Sequence, residues 1–91
     1  MDEFEIGSSE WLDEVNSIYG DSLLKMDGYD DCIIGICNRA GQSPFIMYST
    51  EKVIQKNMSM GMDREEAHEY FEFNQVSAYM GEGTPGFLDD L

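Results

Sequence analysis

Apolar residues in SSEWLDEVNSIYG fall at Trp11, Leu12, Val15, Ile18 and Tyr19. That spacing is the period of an amphipathic helix with one buried stripe. Ser8 or Ser9 stands where an N-cap hydroxyl accepts from the free N–H groups of the first turn, and Gly20 stands where the helix should stop. KMDGYDD is turn chemistry. The pattern then changes. CIIGIC is a continuous apolar run rich in β-branched residues, expected to be a strand covered on both faces. FIMYS is a second strand, joined to the first by NRAGQSP as an antiparallel hairpin. Ser49 or Thr50 caps the next helix, TEKVIQKNMSM, whose core face is Val53, Ile54, Asn57 and Met58. GMD breaks it. Asp63 opens a last helix with Glu66 as its capping-box partner, and this helix is expected to run to Met80.

The order α-β-β-α-α predicts a small α+β fold, a single domain with an antiparallel β-hairpin packed against helices. Residues 1–8 are expected to be a flexible acidic N-terminus, residues 9–91 the domain, and the chain from residue 81 a Gly/Pro-rich tail. A two-stranded hairpin is marginal alone. Its edges are open to a second copy, to a partner, or to the chain's own tail.

On a wheel of about 100° per residue, Ala67, Tyr70, Phe71, Asn74 and Ala78 share the core seam of the last helix. An Asn74 buried there needs partners for its amide. Glu65, Glu69 and Glu72 lie on the opposite side, with no Lys or Arg four residues away. Like charges at such spacing destabilise a helix. Glu10, Asp13, Glu14 and Asp21 repeat the pattern opposite Trp11 and Val15. Phe73 falls off the seam beside Glu66, and with Val76 it marks an apolar patch among acids. The methionines around MSMGM are read as gap-filling at a helix junction.

Charge sharpens this picture. The 91 residues carry 19 acids against five Lys and Arg, a net charge of −14. Self-repulsion on that scale opposes a compact state. A hydrophobic fraction of 42% nonetheless suits a folded globule. With no basic cluster to neutralise phosphates, direct nucleic-acid binding is not expected. No apolar run has the ~20 residues that span a bilayer. The acidic N-terminus opposes a leader peptide, so a cytoplasmic protein is expected. Cys32 and Cys37 lie about 16 Å apart if their segment is a strand, too far for a mutual disulfide. They are read as buried free thiols.

Catalytic chemistry finds no motif. There is no G-x-S-x-G elbow, and GEGTPG has no strand before it or Lys after it. Glu65 and His68 have the i, i+3 spacing of a di-iron ligand pair. Such sites take two pairs and two further Glu, and the chain has one His. No enzyme, cofactor or metal is expected.

From Tyr29 onward the chain resembles small proteins of bacteriophages and their bacterial hosts. The matching pieces are YDDCIIGI, GQ, MYS, GMDREEAHEYFEFN and AYMGEGTP. They span about two thirds of the chain, and the N-terminal acidic helix lies outside them. That family has no assigned reaction; the resemblance implies a phage or prophage setting in a host cytoplasm. Small acidic phage proteins that block host nucleases, among them anti-CRISPR and anti-restriction proteins, are similar in size and charge. The function expected is therefore an acidic inhibitor that mimics nucleic acid. Its partner would be a basic nucleic-acid-binding host protein. Glu65, Glu69, Glu72, Glu10, Asp13, Glu14 and Phe73 are the candidate partner-binding residues. The alternative is a non-enzymatic phage structural or housekeeping module, dimerising through the hairpin edge.

Overall fold

Helices start where the capping side chains stand. The computed structural model describes residues 5–19, 23–38, 40–41, 43–76 and 83–90. Helix α1, Ser9–Tyr19, begins after Ser8, whose hydroxyl accepts from Trp11 N–H at 3.2 Å. Helix α2, Thr50–Ser59, begins after Ser49, whose hydroxyl accepts from Lys52 N–H at 3.1 Å. Helix α3, Arg64–Tyr70, opens with the expected capping box. Asp63 accepts from Glu66 N–H at 2.8 Å, and Glu66 accepts from Asp63 N–H at 3.1 Å. Between α2 and α3 the chain turns at Gly61, where φ is 105°, a conformation glycine adopts without strain.

Strands β1 (Ile33–Cys37) and β2 (Phe45–Ser49) form the expected antiparallel hairpin. Ile33 faces Tyr48 and Cys37 faces Phe45, with a bulge between Ile33 and Gly35. The full coverage expected for β1 does not hold: Ile33 is buried, but Ile34 to Cys37 are half-buried. The strand order β1-β2-β3 leaves β1 at an edge. Its apolar run is therefore only partly covered.

The third strand comes from the tail. β3, Gly86–Leu88, lies parallel to β2, with Tyr48 opposite Phe87. A parallel neighbour needs a long crossover, here the whole of α2 and α3. The open edge of β2 is thus closed by the chain itself. Gly86 permits the approach, since a Cβ there would collide with the Phe45 ring. Phe87 sits edge-on to Phe71 at 5.1 Å between ring centroids and tilted against Tyr48 at 5.8 Å.

The core gathers Trp11 and Val15 of α1, Tyr29, Cys32 and Ile33, Ile46 and Tyr48 of β2, Val53 and Ile54 of α2, and Ala67 and Phe71. Ile18, on the expected face of α1, is exposed. Periodicity marks a face and not how far along the helix the core extends.

The last helix departs from its wheel. After Tyr70 the backbone widens into a π-helical stretch, Phe71–Val76. A π-turn closes i→i+5 bonds and takes more residues than an α-turn. The next buried position after Phe71 is therefore Gln75, and Asn74 is exposed. Tyr70, also expected in the seam, is exposed. The rest of that prediction, Ala78 and the extension to Met80, lies outside the described residues, as do Gly20 and Asp21.

Gln75 completes a buried polar cluster. Tyr29 hydroxyl donates to Asn57 Oδ1 at 2.6 Å, and Asn57 Nδ2 donates to Gln75 Oε1 at 3.0 Å and to the Ala67 carbonyl at 3.2 Å. Every polar atom of Asn57 is thereby used, which is what its complete burial demands.

Candidate partner-binding surfaces

Most of the described acids fall into two sets. One set is consumed by the fold. Asp63 and Glu66 cap α3. Asp90 accepts from the Ser49 hydroxyl at 2.5 Å and from Glu51 N–H at 3.0 Å, and Asp89 accepts from the Thr50 hydroxyl at 2.7 Å. The two C-terminal acids thus serve the first turn of α2, where backbone N–H groups favour negative charge. The Ser49 hydroxyl, then the Glu51 N–H, hold the Asp90 carboxyl below the usual carboxylate range.

Three of the described cations are spent on the same set. Arg64 forks onto Glu51 with bonds of 2.7 and 3.1 Å. That guanidinium, then the Gln55 amide, brings the Glu51 carboxyl down to about 2. Lys56 pairs with Asp31 at 3.0 Å and lowers its pKa. Lys25 pairs with Asp30 at 3.2 Å and lies 4.0 Å from Asp27.

The second set is the two stripes. Glu65, Glu69 and Glu72 are exposed along α3 and its π continuation. Glu72 lies 3.5 Å from His68 Nδ1, one turn earlier. Glu10, Asp13 and Glu14, with Ser17, line a shallow depression of about 340 Å³ on α1. Glu10 and Asp13 are exposed and Glu14 is half-buried. Among the described residues, the Lys and Arg ion pairs go to Glu51, Asp27, Asp30 and Asp31 and not to Glu65, Glu69, Glu10, Asp13 or Glu14. The two helices do not pack closely on each other.

Phe73 is 74% exposed, with Tyr70 and Val76 also open on the same stretch. Phe73 and Val76 were legible as off-seam positions; Tyr70, which the wheel places in the seam beside Phe71, was not. The roles of Asp89 and Asp90 were equally hidden, since their hydroxyl partners lie 39 and 41 residues away.

A larger cleft of about 780 Å³ opens between the turn at Glu5–Ser8, Asp30 and Asp31, the start of β1, and Lys52 and Lys56 of α2. Its charges are mixed, and the Lys56 ammonium is held by Asp31. Cys32 is buried beside it and Cys37 is half-buried, so the second thiol is more open than expected. Both thiols are free. Among the described residues no group of three or more His, Cys, Asp or Glu could hold a metal ion. Among them, too, no helix is long and apolar enough to cross a membrane. Comparison with family models, curated proteins and solved structures finds no match for this chain.

Proposed function

We propose that this protein is an acidic inhibitor of the phage type. It binds a basic, nucleic-acid-handling host protein, such as a CRISPR effector or a restriction enzyme, and places carboxylates where that protein expects phosphates. One observation carries the reading. The fold spends its described Lys and Arg ion pairs on Glu51, Asp27, Asp30 and Asp31 and leaves the stripes on α1 and α3 facing solvent. Solvent-facing carboxylates form charge-assisted hydrogen bonds with a partner's Arg and Lys and steer its approach over long range.

The test is capture from a bacterial host lysate at low and at high salt, with mass spectrometry of what is retained. Two charge-neutralised variants run beside it: Glu65→Gln/Glu69→Gln/Glu72→Gln and Glu10→Gln/Asp13→Asn/Glu14→Gln. The expected result is a nucleic-acid-binding protein that is lost as salt rises and bound more slowly by the variants. Undiminished capture of the same partner by both variants in low salt would sink the proposal.

A second reading is an interaction module that pairs through the outer edge of β1. The favouring observation is that β1 has no strand on that side among the described residues. A dimer of this kind would persist in high salt, which light scattering at two concentrations reads directly.

A further inference from the structure

We infer that Phe73 is the apolar anchor of the α3 surface, and that its seat is an apolar pocket rimmed by Lys and Arg on a protein partner. The observation is the way the π-turn disposes Phe71–Val76. Phe71 and Gln75 point into the core, and Phe73 between them stands clear of it, more exposed than any other large apolar side chain described. Such turns occur often at functional sites. The neighbouring turn is fixed, because Gln75 Oε1 accepts from the buried Asn57 amide at 3.0 Å. Phe73 is therefore held out from a rigid element, which lowers the ordering cost of binding. An exposed aromatic with few rotamers, ringed by polar groups, is the usual form of an interface hot spot.

Charge decides the occupant. Glu69 lies four residues before Phe73 and Glu72 directly before it, with Glu65 and Glu66 on the preceding turn. Arg64, the only Lys or Arg of α3, is turned away onto Glu51. The rim around the anchor is thus negative. A second copy would bring like charges together, and nucleic acid or an anionic lipid surface would be repelled for the same reason. A basic protein surface with an apolar centre complements both features. This inference rests on the proposed function in one respect, the basic rim; the anchor itself is a separate claim.

Two labelled helical peptides of equal positive charge separate the claims by fluorescence anisotropy. One carries Leu at i, i+3, i+4 and i+7 among Lys and Ala, and the other has Ser in place of each Leu. Wild type should bind the Lys/Leu peptide more tightly. Phe73→Ala should lose roughly tenfold for that peptide and nothing for the Lys/Ser peptide. Phe73 is solvent-facing, so the variant should unfold at the wild-type midpoint, followed by Trp11 fluorescence. Equal Lys/Leu affinity in Phe73→Ala and wild type overturns the anchor. So does a wild-type dimer in sedimentation that Phe73→Ala abolishes, since a second copy would then be the occupant. If Lys/Leu binds through Phe73 but Glu65→Gln/Glu69→Gln/Glu72→Gln weakens neither peptide, the anchor stands without its basic rim, and the carboxylate reading of this face fails. If neither peptide binds wild type, both claims fall.

Discussion

Removing the Asn57 side chain tests whether the buried polar cluster holds the π-turn in register. In Asn57→Ala the Tyr29 hydroxyl and Gln75 Oε1 lose the partners they now have at 2.6 and 3.0 Å. The Ala67 carbonyl keeps one donor, Phe71 N–H. Each buried group left unpaired costs about 1–3 kcal/mol. Gln75 lies near the Tyr29 hydroxyl, both being bonded to Asn57, and re-pairing between them offsets part of that. The expected net loss is about 2–3 kcal/mol, from the low end of two such penalties. A chain of this length has roughly 5–14 kcal/mol of stability in all, at ~0.05–0.15 per residue. At about 4–8 °C per kcal/mol, the midpoint should fall by roughly 8–24 °C. The assay is urea and thermal unfolding followed by the fluorescence of Trp11, the one tryptophan, which is buried. A cycle with Gln75→Ala should show a coupling of at least about 0.5 kcal/mol. A loss in Asn57→Ala below about 1 kcal/mol, or strict additivity with Gln75→Ala, would refute the reasoning.

Other outcomes follow from the same geometry. Glu51, Asp31 and Asp90 have lowered folded-state pKa values. Their contribution is therefore fully present above the ordinary carboxylate range and is lost as pH falls through the folded values, with that of Glu51 lasting to about 2. Asp90→Asn should lower the urea midpoint at neutral pH and flatten its fall on acidification; an unchanged profile would show that the contact with Ser49 and Glu51 contributes nothing. Burial, and then the neighbouring Asp31 carboxylate, pushes the Cys32 thiol up to about 11, so an alkylating reagent at neutral pH should label the half-buried Cys37 first and Cys32 only on unfolding. Peptide mass spectrometry reads the order, and equal rates in the folded protein would contradict the packing. Glu69→Gln relieves like-charge repulsion with Glu65 at i, i+4, leaves the first-turn charge of α3 in place, and should raise the melting midpoint slightly while weakening binding to the Lys/Ser peptide. A lowered midpoint would mean that the Glu69 carboxylate has a structural partner.

Much of the fold was legible in the residues themselves. Ser8, Ser49 and the Asp63/Glu66 box mark helix starts because capping bonds run three residues along the chain. Val53, Ile54 and Asn57 were visible as one face because periodicity is a local property. The acid stripes were equally legible as patterns, and their residues are largely solvent-facing in the fold. Tertiary structure decided what depends on distant partners. The tail became β3 because the β2 edge offered unpaired backbone groups. Asp89 and Asp90 became caps because that strand brings them to the start of α2. Gln75 replaced Asn74 in the core because the chain widened where Asn57 needed an acceptor. Which acids are spent and which face solvent was settled in the same way, by where Arg64, Lys56 and Lys25 find carboxylates in space. A sequence records the sign of every charge, but ion pairing acts within about 4 Å, and those distances exist only once the chain has folded.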